Sequence, residues 1–241
     1  MLKLRLDRIL SAYTPYTRRE GSELIRKGLI SVEDTVCRDP AAKFSVEGLR
    51  LQIAGKSFLL HEQSTFMLNK PAGYISTTEE SGGQSVLDLI SEEDRFPALF
   101  PAGRLDKDTT GLLLLTSDGA LCHRIISPSH EIYKTYSVTA EGILTEDDVR
   151  RFSEGIYLEN EGLCRPAFLE ILRSDSISEA RVRICEGKYH QVKRMFAACG
   201  KTVIALRRDT IGGLSLDASL LPGHYRRLTN EEISGIFSDP V

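Results

Sequence analysis

The stretch Gly103-Arg104-Leu105-Asp106-Lys107-Asp108-Thr109-Thr110-Gly111 runs directly into Leu112-Leu113-Leu114-Leu115-Thr116 and constrains the fold more than any other part of this chain. Four consecutive leucines behind a charged turn read as a core strand. The glycine turn ahead of them delivers an arginine and two aspartates, so a carboxylate sits at the lip of a sheet, held by the strand behind it. Alone, the stretch is equally a charged loop before a buried strand. Three later segments weigh against that plainer reading.

With 241 residues the chain can bury one large core or two smaller ones. The longest apolar runs span four or five residues, too short for a membrane helix. The start, Met1-Leu2-Lys3-Leu4-Arg5-Leu6-Asp7, alternates charge with leucine and carries no signal-peptide core. Cys37, Cys122, Cys164, Cys185 and Cys199 are odd in number and irregularly spaced, with no Cys-x-x-Cys pair. Neither a zinc site nor a disulfide framework is indicated, so a reduced, cytoplasmic, metal-free protein is expected.

A net charge of -3 argues against a nucleic-acid partner until its distribution is read. Residues 1–60 carry 11 Lys+Arg against 7 Asp+Glu, a net of +4. Residues 181–208 carry 8 (Arg181, Arg183, Lys188, Lys193, Arg194, Lys201, Arg207, Arg208) against Glu186 alone, a net of +7. Two such runs on an otherwise acidic chain suit phosphate contacts better than ordinary solvated faces.

The first run reads as a module of its own. Leu6, Ile9, Leu10 and Tyr13 have helical spacing, and Thr17 with Glu20 forms a capping box for a second helix that Gly28 ends. Short strands are expected at Ile30-Ser31-Val32, Ala41 to Val46 and Leu49 to Ile53. A linker is expected from Ala54-Gly55-Lys56-Ser57 to about Gln63. Arg5-Leu6-Asp7-Arg8-Ile9-Leu10, Thr17-Arg18-Arg19-Glu20 and Leu24-Ile25-Arg26-Lys27-Gly28-Leu29-Ile30 together resemble an S4 domain, a small helix-rich RNA-binding module. Val32-Glu33-Asp34 replaces that family's usual Val-Asn-Gly turn; aspartate tolerates the left-handed conformation, so the turn is expected to survive. The loop Ser11 to Tyr16 reads as longer than usual. The resemblance implies RNA contacts from Arg5, Arg8, Arg18, Arg19, Arg26 and Lys27.

The remainder reads as strand-rich α+β. Thr65 to Leu68 is a strand ending in a tight Asn69-Lys70-Pro71-Ala72-Gly73-Tyr74 turn. Lys134 to Ala140 alternates with Tyr136, Val138 and Ala140 on one face, and Ala180 to Ile184 sets its arginines opposite its apolar residues. Thr145 with Asp148 opens a helix that Gly155 closes. After Gly187, Val192, Met195, Phe196 and Cys199 form a core stripe, with His190, Lys193, Arg194 and Ala197 on the adjoining face. Cys199-Gly200-Lys201-Thr202 is no P-loop, because Met195 stands where the motif needs glycine. Asp106 and Asp108, two apart on an extended segment, fit glycosidase carboxylates on spacing alone.

In order, Phe66-Met67-Leu68-Asn69-Lys70-Pro71, Gly103-Arg104-Leu105-Asp106, His123-Arg124-Ile125-Ile126-Ser127-Pro128, Lys134-Thr135-Tyr136 and Glu186-Gly187-Lys188-Tyr189-His190-Gln191-Val192-Lys193-Arg194-Met195 resemble the pseudouridine synthases. The wording is closest to the branch that acts on small-subunit ribosomal RNA, and the match runs through Pro222-Gly223-His224-Tyr225-Arg226 to Glu231-Glu232-Ile233. The resemblance implies an S4 domain over residues 1–60 and a catalytic domain over 61–241, built on a mixed, mostly antiparallel sheet. It implies a cofactor-free isomerase that detaches a specific uracil, position 516 of 16S rRNA, and rejoins it through carbon. Asp106 matches the nucleophile or base, Tyr136 the tyrosine that stacks on the target base, and Lys193 the cation paired with the aspartate. Whether the carboxylate attacks the anomeric carbon or removes a ribose proton stays open. Arg104, Lys70, His190 and Arg194 are the expected substrate-binding residues. The partner is ribosomal RNA, free or in an assembling small subunit, and the protein itself is expected to be monomeric.

The chemistry asks for these residue types independently. Cleaving a C1′–N bond develops positive charge on the sugar and negative charge on uracil, which an ionised carboxylate with a nearby cation serves. An aromatic ring replaces the stacking that a flipped base loses, roughly 1–3 kcal/mol. The rival readings are the same isomerisation on 23S rRNA, a non-catalytic RNA-binding or assembly factor, and an N-glycosidase that would release free uracil.

Overall fold

Asp7 organises the first part of the chain. It is 4% exposed, and Arg5 Nη2 at 2.9 Å and Arg18 Nη2 at 3.4 Å converge on one of its carboxylate oxygens. The Arg5 hydrogen bond outweighs burial and, with Arg18, holds the carboxyl below the usual carboxylate range. The starts of helices α1 (Leu6–Tyr13) and α2 (Arg18–Arg26) are thereby tied together. The Thr17–Glu20 capping box forms as expected: Glu20 accepts from Thr17 N at 2.8 Å and Thr17 from Glu20 N at 3.3 Å. The two helices approach closely because residue 21 is glycine, where a Cβ would stand 2.9 Å from Leu10 Cδ1.

The computed structural model describes residues 3–61, 63–78 and 83–238, and its chain divides into two compact units. The first takes Met1–Ser64, Leu87–Phe100 and Thr116–Asp118. Its edge lies four residues beyond the expected boundary at 60, and two segments expected in the second domain fall within it. Against the helices lies an antiparallel sheet of β1 (Ile30–Val32), β2 (Thr35–Val36), β3 (Leu49–Ile53) and β4 (Lys56–Leu60), in the order β2-β1-β3-β4. Leu6, Ile9, Leu10, Ile25, Leu51 and Ile53 form the centre of its core. The Val32-Glu33-Asp34 turn holds, with Glu33 and Asp34 both left-handed. Two expectations are corrected. Helix α1 runs on to Tyr13, so the loop before α2 is short. The linker expected from Ala54 to about Gln63 opens instead as a hairpin turn, Ala54 (φ 50°) and Gly55 (φ 86°), leading straight into β4. Alanine in the left-handed region hid that turn, because Asn-Gly is the usual signal.

The second unit takes Thr65–Val86, Pro101–Leu115 and Gly119–Val241. Its strands are β5 (Thr65–Lys70), β6 (Thr110–Thr116), β7 (Lys134–Glu141), β8 (Phe168–Arg173), β9 (Ile177–Ile184), β10 (Thr202–Ile211) and β11 (Tyr225–Arg227). They lie in the order β8-β9-β7-β10-β6-β5-β11, with Phe100–Pro101 beside β6 and Leu214–Ser215 beside β10. The β10–β6 pair is parallel, and β8–β9, β9–β7, β7–β10 and β5–β11 are antiparallel, so the sheet is mixed and mostly antiparallel. All six β5 residues and six of seven in β6 are buried, as expected of strands covered on both faces. At the parallel joint Gly111 sits opposite Arg208 with φ 97°, and a Cβ there would be 2.3 Å from the Arg208 carbonyl oxygen. Only glycine fits that crossing.

Helices α3 (Gly119–Ile126), α4 (Glu146–Glu154), α5 (Gln191–Ala198) and α6 (Asn230–Gly235) complete the unit. Phe152 of α4 and Phe196 of α5 pack edge to face at 5.3 Å. Gly200, at φ 73°, lies just past the end of α5, so Cys199-Gly200-Lys201-Thr202 closes a helix rather than opening one. Among the described residues no helix is long and apolar enough to cross a membrane.

Candidate active site

Strand β5 ends in Lys70, which is 0% exposed. Its Nζ donates to the carbonyl oxygens of Thr109 (2.8 Å), Asp106 (3.0 Å), Pro71 (3.1 Å) and Lys107 (3.3 Å). Three protons are shared among four acceptors, so the ammonium is committed to the backbone. Lys70 therefore lies beneath the 106–109 loop and holds it, rather than reaching for a substrate as expected. Burial pushes its pKa down to about 8 against the opposing pull of Asp108 and Asp106. The same loop receives Gly73 N on the Lys107 carbonyl at 2.7 Å, and the Ser76 hydroxyl donates to Leu105 O at 3.0 Å. With its carbonyls satisfied from below, the loop fixes the Asp106 side chain.

Helix α5 closes over that carboxylate. Lys193 Nζ is 3.0 Å from Asp106 Oδ2 and 2.5 Å from Asp108 Oδ1, and His190 Nε2 is 3.4 Å from Asp106 Oδ1. Burial works to lower the Lys193 pKa, but its hydrogen bonds to Asp108 and Asp106 win and raise it. The Lys193 hydrogen bond in turn holds the Asp108 carboxyl below the usual range. The Asp106 and Lys193 side chains are 25% and 21% exposed. Their pair belongs between exposed pairs, worth about 0–1 kcal/mol, and buried ones, where losing a partner costs roughly 3–5 kcal/mol. The polar stripe expected on α5 splits. Lys193 and His190 face Asp106, whereas Arg194 turns to the Glu159 carbonyl and, at 3.7 Å, to Glu161. Arg194 is thus tied to the 157–163 hairpin and away from Asp106. Arg104 is exposed, with no partner among the described residues.

Strand register links Tyr136 to the strand that follows the Asp106 loop. Val182, Tyr136, Arg208 and Gly111 form one row across β9, β7, β10 and β6, and Gly111 follows the Asp106 loop directly. Tyr136 is 8% exposed, on the buried face of β7 with Lys134. Lys134 Nζ donates to the Ile125 carbonyl at 3.1 Å; burial, then the Arg208 charge, push its pKa down to about 8. Arg208 is 4% exposed and gives Nε to Leu112 O at 2.8 Å. Its Nη2 and the Thr109 hydroxyl are buried with no hydrogen-bond partner among the described residues.

Sequence reasoning missed Asp108 as the second anchor of Lys193, and missed Lys134 and Arg208 as buried cations. The signal for Lys134 was its i, i+2 spacing to Tyr136 on an inward face. The signal at Gly111 was a lone glycine inside a strand pattern. The residues expected to bind RNA lie in the first unit and divide. Arg5 and Arg18 hold Asp7, and Arg19 is 3.6 Å from Glu23. Arg8, Arg26 and Lys27 are exposed, without partners among the described residues. The second basic run, expected to be a phosphate surface, has every cation engaged inside its own unit. Among the described residues no group of three His, Cys, Asp or Glu gathers closely enough to hold a metal ion.

Residues 64–198 match the family model for RNA pseudouridylate synthase. The chain is 41% identical over 97% of its length, and 100% of the relative's, to ribosomal small subunit pseudouridine synthase A of Escherichia coli (strain K12). It is 42% identical, over the same shares, to the enzyme of that name from Vibrio cholerae serotype O1. A solved structure described as a pseudouridylate synthase aligns with a TM-score of 0.66 at 36% identity, covering 97% of this chain and 99% of the other.

Proposed function

The chain belongs to the RNA pseudouridylate synthase family of isomerases, and on that premise we propose that it converts one uridine of 16S ribosomal RNA to pseudouridine, with Asp106 as the reacting carboxylate. The observation that carries this reading is the 3.0 Å Lys193–Asp106 ion pair, set over a loop whose backbone Lys70 pins at four carbonyls. A site so held presents charge without reorganising at the moment of reaction. The 16S assignment is supported by the names of the relatives matched along nearly the whole chain.

In this reading the C1′–N1 bond breaks, C1′–C5 forms, and a proton leaves C5 while one arrives at N1. Asp106 acts on the sugar, as nucleophile at C1′ or as base toward the ribose. Lys193 holds the carboxylate in place, with Asp108 as its second anchor. Tyr136 stacks on the extruded uracil, and Arg104, exposed two residues before Asp106, contacts the neighbouring backbone. Residues 1–60 serve as an S4-type module, in which Arg8, Arg26 and Lys27 meet phosphates.

Pseudouridine mapping on 16S and 23S rRNA with wild type and Asp106→Asn tests the proposal. One new 16S site, absent with the variant, is expected; position 516 is the expected nucleotide. A site only in 23S would move the substrate and keep the chemistry. Full activity in Asp106→Asn would sink the assignment of the carboxylate.

A further inference from the structure

One ring beyond Asp106, across His190, stands an exposed aromatic residue. Tyr189 is 70% exposed, yet its ring lies parallel to that of His190, with centroids 3.9 Å apart and planes at 16°. His190 Nε2 is in turn 3.4 Å from Asp106 Oδ1. One tyrosine face is covered by the histidine, so its exposure belongs to the opposite face and the edges. A large apolar ring held flat at the mouth of a charged site is a surface made for stacking.

The backbone supports this. His190 sits in the left-handed region (φ 49°, ψ 34°) at the start of α5, and its side chain makes no helix cap. Such a conformation is unfavourable for a residue with a Cβ and persists only where the surroundings hold it. Here they do. Lys188 N donates to Gln191 Oε1 at 2.9 Å, Gln191 Nε2 donates to Glu186 Oε1 at 2.7 Å, and the same oxygen accepts Arg165 N at 3.0 Å. Lys188 Nζ donates to the carbonyls of Glu161 (2.8 Å) and Leu163 (2.9 Å), and Arg194 Nη1 to that of Tyr189 (3.4 Å). The strained backbone turns the histidine toward Asp106 and sets the tyrosine on top of it. Little conformational freedom is left to lose when a ligand arrives.

We infer that the Tyr189–His190 stack is a shelf for the RNA base adjacent to the target uridine, and that His190 is a positioning residue linking that base to Asp106. This rests on the isomerase reading. A target base taken out of its stack leaves its neighbour with one uncovered face, and the open face of Tyr189 offers a replacement partner within two ring layers of the carboxylate. The shelf reads any base by its π-face, so it sets where the strand lies rather than which letter it carries.

The test uses a 16S rRNA fragment that wild type modifies, with 2-aminopurine placed on either side of the target. Binding to the full-length Asp106→Asn protein should quench one of the two probes, and adding Tyr189→Ala should abolish the quench. In turnover, Tyr189→Ala should raise KM by roughly 5- to 150-fold, the range expected of one base stack. Tyr189→Phe should restore both readings, because the ring and not the hydroxyl makes the contact. Phe168→Ala, which removes an aromatic 56% exposed on strand β8, should change neither. If wild type modifies the fragment while Tyr189→Ala keeps both the quench and its KM, the shelf is refuted and the isomerase stands. If wild type forms no pseudouridine, the isomerase reading falls and takes the shelf with it.

Discussion

Residues 1–60 and 181–208 look alike as charge counts, at +4 and +7, yet only the second run engages every one of its cations, whereas the first pairs some and leaves others exposed. In the second run Arg181 meets Glu170 at 2.7 Å, Arg207 meets Asp209 at 3.3 Å, and Lys201 meets Asp148 at 3.9 Å. Arg183 lies over Tyr133 and Phe168, Lys188 and Arg194 donate to hairpin carbonyls, Lys193 joins two aspartates, and Arg208 is buried on Leu112. Most of these partners lie outside the run, on strands, loops and a helix that the tertiary fold brings to it. In the first unit Arg8, Arg26 and Lys27 find no such partner among the described residues, although the run is less positive. A dense run of cations in sequence is therefore no measure of free charge. The topology decides which acceptors each one meets.

Breaking the comparison at its most committed cation should have the largest effect. Lys193→Met is expected to lower kcat by about 10²- to 10³-fold, the range of removing a group that stabilises charge in the transition state. Affinity for RNA should stay within about threefold, since this lysine is occupied by Asp106 and Asp108. Single-turnover kinetics beside filter binding separates the two. A large loss of affinity with kcat preserved would mean that Lys193 binds phosphate after all.

Next in size is Asp7, the acceptor that makes two first-unit arginines structural. Asp7→Asn should cost about 1–3 kcal/mol, as expected when a buried charged hydrogen bond is weakened. The loss should appear as faster amide exchange across α1 and α2. The pH dependence has a definite sign. The folded carboxyl titrates below its unfolded value of about 3.9, so its contribution is complete above that value and fades as pH falls through the folded one. In wild type the extra protection should therefore disappear on acidification; in Asp7→Asn there should be none to lose.

The free cations come third. Replacing Arg8, Arg26 and Lys27 together with alanine should reduce the slope of log affinity against log salt by about 2–3, at roughly 0.7–0.9 per phosphate contact. Stability should change by no more than about 0.5 kcal/mol, because these side chains support nothing in the fold. An unchanged slope would remove the first unit from RNA binding.

Much of this was legible in the chain, and the gaps have physical causes. The capping boxes at Thr17 and Thr145 and the alternation in β7 and β9 are local signals, and the structure follows them. The Asp106 loop and its lysine were legible through motif resemblance. The Ala54-Gly55 hairpin was not, because its first residue lacks the usual turn chemistry. Lys70 was read as a substrate ligand because sequence shows a cation beside a turn and not the four carbonyls under which it lies. Arg208 and Gly111 are 97 positions apart and meet only across a parallel joint, which no local pattern announces. The division of the second basic run is the same failure repeated over eight residues.

The smallest expected effect is also the sharpest test of the comparison. Arg181 and Arg207 are about half exposed, on β9 and β10, facing out of the sheet on the side opposite Tyr136. By charge and exposure alone they are candidate phosphate contacts, yet Glu170 and Asp209 already neutralise them. Exposed pairs of this kind are worth about 0–1 kcal/mol each, so Arg181→Gln with Arg207→Gln should barely move stability. If the pairs persist in the RNA complex, the salt slope should also stay within about 0.3 of wild type. If instead they open and hand both guanidinium groups to phosphates, the slope should fall by about 1.4–1.8. That result would mean the carboxylates only hold the arginines until RNA arrives, and the two runs would differ in timing rather than in use.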